Sequence, residues 1–417
     1  MYMETTLSDI ADGCKYGFVD GPFGSNLPSS CYKHKGIPVI RGCNLSIGKF
    51  RYIDQGYCFV DNIVLDKLSR STARKFDIIF TKKGTIGQIG IIPKNALYNL
   101  YLLSSNQMRL RVDISKADPY FVYYYLTQKN IIKKIIRDSE STGVPKTNLA
   151  YFRSFPIKLP ALSEQQAIAH ILGTLDDKIE LNRRQNATLE AMAQAIFKDW
   201  FVDFGPVHAK MEGRQPEGMS REIADLFPDR LDDEGKPEGW EWKTLDSILE
   251  LCYGKALKAS ERIPGKTPVY GSGGITGYHN QALVITPSII VGRKGTIGSL
   301  YIEHRPFYPI DTVFYVKSDY SIFFCYFILK QQKLKDMNTD AAVPGLNRNN
   351  VYRLVFSMPS NIVIEKFDAY IQNIYKKIYH NYSEISILIS LRDTLLPKLI
   401  SGELRVPDAE KMVADIV

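Results

Sequence analysis

The sequence predicts an α+β fold in which two mixed α/β domains are separated by two long helices that pair as an antiparallel coiled coil. One observation is a repeat, because FDIIFTKKGTIG at 76–87 returns as PSIIVGRKGTIG at 287–298. Another is a pair of long segments that match each other at a constant shift and carry apolar residues at steps of three and four. A stretch rich in Pro, Gly and charge lies between the copies. Together these features indicate a pseudo-two-fold internal repeat.

The apolar content of the chain is typical of a folded protein, and its positive charge favours a polyanionic partner. The chain has 417 residues, 45% of them apolar and 24% charged, with a formal net charge of +8, which favours nucleic acid or an acidic protein face. Six scattered cysteines contain no Cys-x-x-Cys pair, so neither a metal site nor a disulfide framework is expected. The polar N-terminus is unlike a signal peptide, and no apolar run approaches the roughly 18 residues that span a bilayer. We therefore expect a cytoplasmic protein outside the membrane.

The first domain is expected to span residues 1–160, with its glycine turn between two strand-like stretches. After the turn, the aromatic stretch that begins at Asp118 predicts an amphipathic helix capped by that aspartate, and the second copy predicts the same at Asp319. The loop at 141–160 then matches residues 340–359.

Each domain is followed by a predicted long helix, at 161–204 and 361–417. Asn182 and Asn381 occupy the same position in the two apolar seams, where a buried asparagine costs stability and fixes the register of a coiled coil. If the helices pair antiparallel, the two domains lie at opposite ends of a rod. The seams consist of Ile168, Leu172, Leu175, Ile179, Leu189, Ala193, Ile196 and Trp200, and of Phe367, Ile371, Ile374, Ile378, Ile385, Leu388, Leu395 and Leu399.

The remaining segments are a linker and the second domain. Residues 205–240 predict a linker with a short helix at most, and residues 241–360 predict the second α/β domain. Pro397 is expected to kink or end the second long helix, with Gly402 as its stop.

The whole chain resembles the specificity subunit of a Type I restriction-modification enzyme. The resemblance is carried by the duplicated domains, by LSEQQAIAHILGTLDDKIELNRR, by FVDFGPVHAKMEGR with the following LFPD and PEGWE, and by the terminal LLPKLISGEL. It implies that each domain is a target-recognition domain for one half of a bipartite target in double-stranded DNA. The helices then space the domains and dock two methyltransferase (M) subunits, and two restriction/translocase (R) subunits complete the complex.

The resemblance also implies a non-catalytic recognition subunit that is required for the methyltransferase and endonuclease activities of its complex. It binds no cofactor itself, because S-adenosylmethionine, ATP and Mg act through the partner subunits. A helix of about 35 residues is roughly 50 Å long, which suits half-sites about one duplex turn, roughly 34 Å, apart. The loops GPFGSNLPSSCYKHKGIPVIRGCNLSIG and KASERIPGKTPVYGSGGITGYHNQ match only loosely. We therefore expect a gapped, non-palindromic target.

Candidate DNA contacts follow from residue type. Lys82 and Lys83, with their equivalents Arg293 and Lys294, lead into glycine turns whose backbone can approach a phosphate, although an exposed hairpin with routine lysines would look the same. Arg and Lys suit guanine and Asn suits adenine, whereas Asn and Ser in loops also cap turns. The base-reading candidates are Thr142, Lys146, Asn148, Asn347, Arg348, Asn349, Ser25, Asn26, Arg41, Asn44, Ser272, Tyr278, His279 and Asn280.

Of two rival classes of function, the sequence argues against an enzyme and leaves a protein adaptor open. The chain would be an enzyme if DPYF at 118–121 were a methyltransferase motif, or if Asp229, Glu234 and Lys236 formed a nuclease site; a helix start explains the first, and the second lies in a polar linker. It would be a protein adaptor if its basic domains bound proteins. An adaptor predicts weak or salt-insensitive DNA affinity, whereas phosphate contacts predict affinity that falls steeply with salt.

Overall fold

A computed structural model describes residues 2–13, 16–139, 144–337 and 345–414. The chain divides into two compact units. Unit 1 comprises Met1–Arg183 and Tyr382–Val417, and unit 2 comprises Arg184–Asn381. Each unit therefore contains one of the predicted domains together with one half of each long helix. Within the described residues, no helix is both long enough and apolar enough to cross a membrane.

The first copy runs from the N-terminus to the end of the first long helix. Its strands are β1 (Met3–Thr6), β2 (Phe18–Asp20), β3 (Ile37–Ile40), β4 (Cys58–Val60), β5 (Thr72–Ala73), β6 (Ile78–Thr81), β7 (Ile89–Ile91), β8 (Tyr101–Leu103), β9 (Gln107–Leu110) and β10 (Pro156–Leu159). Its helices are α1 (Asn62–Lys67), α2 (Pro119–Leu126), α3 (Lys129–Arg137), α4 (Leu149–Arg153) and α5 (Leu162–Phe201).

The second copy follows with the same succession of elements. Its helices are α6 (Gly205–Met211), α7 (Arg221–Ala224), α8 (Ile322–Gln331), α9 (Arg348–Tyr352), α10 (Asn361–Ser401) and α11 (Val406–Ala414). Its strands are β11 (Glu241–Thr244), β12 (Glu250–Tyr253), β13 (Thr267–Gly271), β14 (Gly274–His279), β15 (Ser288–Gly292), β16 (Leu300–Glu303), β17 (Tyr308–Pro309), β18 (Val313–Lys317) and β19 (Val355–Met358).

Sheet topology repeats between the units. Unit 1 holds an antiparallel sheet of order β2-β9-β6-β7, a mixed sheet β4-β3-β8-β5 and the pair β1-β10. Unit 2 holds the antiparallel sheet β12-β18-β15-β16, the mixed sheet β14-β13-β17 and the pair β11-β19. In both mixed sheets the single parallel pairing joins two strands that are distant in sequence, β3 with β8 and β13 with β17. The predicted α+β fold with an internal repeat is confirmed.

The long helices pack against each other within each unit. In unit 1, Asp176 pairs with Arg392 and Lys178 pairs with Glu384, so the residue numbers rise along α5 as they fall along α10. In unit 2 the Asn186 side chain donates to the Ile378 carbonyl and the Trp200 ring contacts Phe367, which gives the same antiparallel order. The predicted seam residues are buried or partly buried in the core of one unit or the other.

The seam asparagines are buried as well. Asn182 is 2% exposed and Asn381 is fully buried. The Asn381 amide donates to the Asn186 Oδ1 at 2.8 Å, so part of its desolvation cost is offset by a hydrogen bond in unit 2. A buried amide pair of this kind favours one register over its neighbours.

Three local predictions need correction. Asp118 caps α2 as predicted, but α8 is capped by Ser321, whose hydroxyl accepts from the first-turn amides, and not by Asp319. Helix α2 is buried on nearly every side and ends at Leu126, with α3 following as a separate helix, so the expected single amphipathic helix is wrong. The predicted linker holds two short helices and contributes Phe227 to the core of unit 2.

The C-terminal end of α10 lies at Gly402, as the sequence indicates, and not at Pro397. The helix continues through Pro397 to Ser401, and Gly402 follows with a φ of +76°. Glycine adopts this left-handed conformation without the steric penalty that a side chain brings, so it terminates the helix.

Candidate nucleic-acid interface

Each unit presents a glycine turn between two strands, which are buried except for the largely half-buried β16. In unit 1 the turn joins β6 to β7, and in unit 2 it joins β15 to β16. Gly84 has a φ of +102° and its equivalent Gly295 has +80°, a conformation that favours glycine. A Cβ on Gly84 would meet nothing within 4 Å, so this backbone is open to an incoming group. The backbone at Gly298, three residues after Gly295, is not open in this way, because a Cβ there would lie 2.6 Å from the Leu334 backbone.

The turn of unit 1 is joined to the loop that precedes the long helix. The Gly84 amide donates to the Pro145 carbonyl at 3.1 Å, and the Thr147 amide donates to the Lys82 carbonyl at 2.9 Å. Lys83 faces Lys146 in an isolated antiparallel bridge. Three predicted contact residues from two distant segments, Lys82, Lys83 and Lys146, are therefore brought together on what we call the turn surface of unit 1.

The turn surface of unit 2 is built by the same backbone contacts. The Leu346 amide donates to the Arg293 carbonyl at 2.8 Å, and Lys294 faces Gly345 in the equivalent bridge. These pairings place Arg293 and Lys294 beside Arg348, which begins α9. Both turn surfaces thus concentrate cations on an exposed backbone turn, the arrangement that suits a phosphate.

The first cation of each turn has a different partner. The Lys82 ammonium lies 3.6 Å from an Asp20 carboxylate oxygen. The Arg293 guanidinium lies instead over the Tyr253 ring, 5.0 Å from its centroid, and the Arg348 guanidinium lies 5.1 Å from the same centroid. The exposed Lys83 and Lys294 side chains have neither a hydrogen bond nor an ion pair among the described residues.

Several predicted base-reading side chains already make structural hydrogen bonds. Asn148 caps α4 by accepting from the Tyr151 amide, and Asn347 caps α9 by accepting from the Asn349 amide. Asn44 is fully buried and donates to two backbone carbonyls, Ile53 and Gln55. The asparagine amides of both caps nevertheless remain on exposed residues of the turn surfaces.

Other candidates lie on neighbouring loops. Arg41 begins the turn that Asn44 closes, and its guanidinium donates to the Gly56 carbonyl at 3.1 Å. Ser272 joins the glycine turn of unit 2, since its hydroxyl accepts from the Thr296 amide. His279 is 6% exposed and its Nδ1 accepts from the Ile263 amide. Ser25, Asn26, Tyr278, Asn280 and Asn349 are exposed, and Thr142 lies outside the described residues.

Two residues of the turn surfaces were missed by sequence reasoning, Asp20 and Tyr253. Each is followed by a glycine, Gly21 and Gly254, at which a Cβ would lie about 2 Å from a backbone carbonyl oxygen. The glycine that follows in both copies is the sequence signal that aligns Asp20 with Tyr253. The residues before it differ in size and charge, so the alignment of the loops did not reveal them.

The residues behind the two enzyme alternatives have structural partners. Asp118 accepts from the Phe121 amide as the cap of α2. The Asp229 carboxylate pairs with Lys210 at 2.6 Å, and Glu234 pairs with Lys236 at 2.8 Å. In the described part of the chain, no cluster of three or more His, Cys, Asp or Glu side chains is arranged to hold a metal ion.

Fold and surface together define a class of protein: a duplicated chain in which each of two α/β units carries a cationic turn surface and contains one half of each paired long helix. A sequence profile described as the Type I restriction modification DNA specificity domain matches residues 63–191 and 237–381, more than half of the chain. The chain belongs to this family, the specificity subunits of Type I restriction-modification systems, and its role is DNA sequence recognition.

Similar proteins agree with this family. The Type I restriction enzyme HindI specificity subunit of Haemophilus influenzae is 27% identical over 84% of this chain and 91% of its own length. The MjaIX specificity subunit of Methanocaldococcus jannaschii is 27% identical over 92% of this chain and 91% of its own length. The crystal structure of an S subunit from M. genitalium has the same fold, with a TM-score of 0.56, 18% identity and 96% of each chain covered.

Proposed function

We propose that each unit recognises one half of an asymmetric, gapped DNA target. The observation that carries this proposal is the pair of turn surfaces, which share backbone pairings but differ in side chains. A shared framework supports the same mode of phosphate contact in both halves, since phosphate contacts position a protein without specifying sequence. Different loop side chains support different base preferences. The contacts to phosphates are assigned to Lys82, Lys83, Arg293 and Lys294, and those to bases to the exposed loop residues around them.

The long helices are proposed to set the spacing of the half-sites and to dock two M subunits. Each helix has 40 or 41 residues, about 60 Å at 1.5 Å per residue, which is long enough to separate half-sites by a full duplex turn. Outward apolar side chains support a docking role, because Leu181, Met192, Tyr382 and Ile387 are each about half exposed. On this proposal, two R subunits join the M subunits, and S-adenosylmethionine, ATP and Mg act on those partners.

The proposal leaves this chain without a catalytic residue, as a cytoplasmic recognition subunit that its complex requires for methylation and cleavage. A domain exchange tests it. We replace residues 1–155 with the equivalent domain of another family member and map the methylated motif of the assembled complex. One half-site is expected to change while the other stays intact. If both half-sites change, or neither does, the assignment of one half-site to each unit is wrong.

The salt dependence of DNA affinity distinguishes this function from that of a protein adaptor. Six to ten phosphate contacts lose about 10³–10⁵ in affinity between 50 and 200 mM salt. An adaptor with incidental basic charge would show weak DNA binding that changes little over that range.

A further inference from the structure

Asp20 of unit 1 and Tyr253 of unit 2 occupy the same position in the repeat. Asp20 lies opposite Met108 at the end of β2, and Tyr253 lies opposite Phe314 at the end of β12. In both units the amide of the next residue donates to a carbonyl of the neighbouring strand. Gly21 donates to the Gln107 carbonyl, and Gly254 donates to the Val313 carbonyl. The repeat therefore places an acid in one unit where it places an aromatic ring in the other.

In unit 2 this ring organises two guanidinium groups. Tyr253 is 49% exposed, and the Arg293 and Arg348 guanidiniums lie 5.0 and 5.1 Å from its centroid. Within about 6 Å a cation is attracted to the face of an aromatic ring. The ring thus limits the orientations that both side chains sample before any ligand arrives, which lowers the entropy cost of binding.

The two guanidiniums are not equally free. Arg293 donates from Nη1 to the Asp311 carbonyl at 2.8 Å, a full hydrogen bond. Arg348 donates from Nη1 to the Leu251 carbonyl at 3.5 Å, the limit of such a bond, and its Nε has no partner in the described structure. Because that Nε is buried, it is not open to a ligand, and the difference between the two side chains lies in the weaker bond of the Arg348 Nη1. Arg348 is therefore held less firmly by the protein, while Arg293 stays with the exposed Lys294 on the glycine turn.

Unit 1 differs in both parts of this arrangement. The alignment that sets Asn148 against Asn347 sets Leu149 against Arg348. The guanidinium that reaches the carbonyl equivalent to that of Leu251, the carbonyl of Phe18, belongs to Arg153 at the end of α4. Asp20 replaces the ring and pairs with Lys82, which reduces the net positive charge there. The two turn surfaces share a backbone but offer different chemistry to a base pair.

We propose that Arg348 recognises a guanine in the half-site of unit 2, with Tyr253 as the positioning residue that holds its guanidinium. The inference rests on the proposed function. An arginine fork donates to the O6 and N7 of guanine in the major groove, the commonest specific contact between protein and DNA. In unit 1 the residue aligned with Arg348 is Leu149.

The test uses the chain assembled with its M subunit and fluorescent duplexes that carry the mapped target. Each base pair of the half-site assigned to unit 2 is replaced in turn, and affinity is measured by anisotropy at fixed salt. For the wild-type chain we expect one guanine whose replacement lowers affinity about tenfold or more. In the Arg348→Leu variant, which places the aligned residue of unit 1 at this position, the loss at that guanine falls to about twofold or less, while discrimination elsewhere, including the other half-site, is unchanged.

Tyr253 provides a matched pair of controls. Tyr253→Phe keeps the ring and is expected to keep discrimination at the guanine, whereas Tyr253→Ala is expected to weaken it. Intact recognition of the half-site of unit 1 shows that each variant is folded. The proposal is overturned if Arg348→Leu weakens binding to all duplexes equally, as a phosphate contact would, or leaves every preference unchanged. A wild-type complex without any sequence preference would instead refute the proposed function itself.

Discussion

The exposed lysines of the two glycine turns give the sharpest quantitative prediction. Lys83 and Lys294 occupy equivalent positions, and neither ammonium pairs with an acid among the residues that the structure describes. If each neutralises one phosphate, each contributes about 0.9 to the slope of log affinity against log salt. The double variant Lys83→Ala, Lys294→Ala is then expected to have a slope shallower by about 1.8.

The expected change in slope is large enough to measure. Between 50 and 200 mM salt, one phosphate contact changes affinity about 3.5-fold, so the double variant loses about 12-fold less affinity than the wild-type chain over that range. The assay is an anisotropy titration of the complex with M subunit on a target duplex at four salt concentrations. Because neither lysine is assigned to a base, the ranking of substituted duplexes is expected to stay the same.

A neutralised lysine supplies the control. Lys158 pairs with Glu4 at 2.8 Å in the β1-β10 pair, and Lys158→Ala is expected to leave the slope unchanged. The reasoning is refuted if the double variant keeps the wild-type slope, or if Lys158→Ala lowers the slope equally.

Three further predictions concern stability. Asp176 is buried, accepts from both Arg392 and Tyr124 at 2.8 Å, and lies 3.9 Å from the Arg51 guanidinium. Because Arg51 and Tyr124 still face the carboxylate, Arg392→Met is expected to lower the free energy of unfolding by about 2 kcal/mol in urea; a loss below about 1 kcal/mol would contradict this. Burial lowers the pKa of His304, whose ring contacts Tyr379. The unfolded chain therefore takes up its proton first, and stability falls as pH drops below about 6.5. The urea midpoint of His304→Phe is therefore expected to decrease less with falling pH than the midpoint of the wild-type chain. Leucine in place of both Asn186 and Asn381 is expected to raise the thermal midpoint by removing buried amides, and a lower midpoint would show that the amides stabilise the pair.

Much of the fold was predictable because the repeat supplies an internal alignment. The constant shift between α5 and α10 identified both helices, and the shared glycines identified both turns. Periodicity could not tell that α2 is buried on almost every side, because an aromatic helix in a core and an amphipathic helix have similar composition. The sequence also led to Asp319 instead of Ser321 as the cap of α8, because aspartate and serine both serve as caps and these two residues lie two positions apart.

The turn surfaces were predictable only in part. Sequence placed the cations on the glycine turns, and the pairing of those turns with the loops before the long helices required the structure. The ring of Tyr253 reaches Arg293 and Arg348 from strands and loops that are far apart in sequence. No spacing rule reports such a contact, and the divergence of the loops hides the equivalence with Asp20. The remaining base-reading assignments stay predictions.

The central claim, that this chain directs its complex to a DNA sequence, is tested most directly by mapping methylated bases across a genome by long-read sequencing. Cells express the partner M subunit with and without this chain. We predict a single gapped, two-part adenine motif that appears only when this chain is present. Methylation of the same motif without this chain, or its absence in the presence of an active M subunit, would contradict the account.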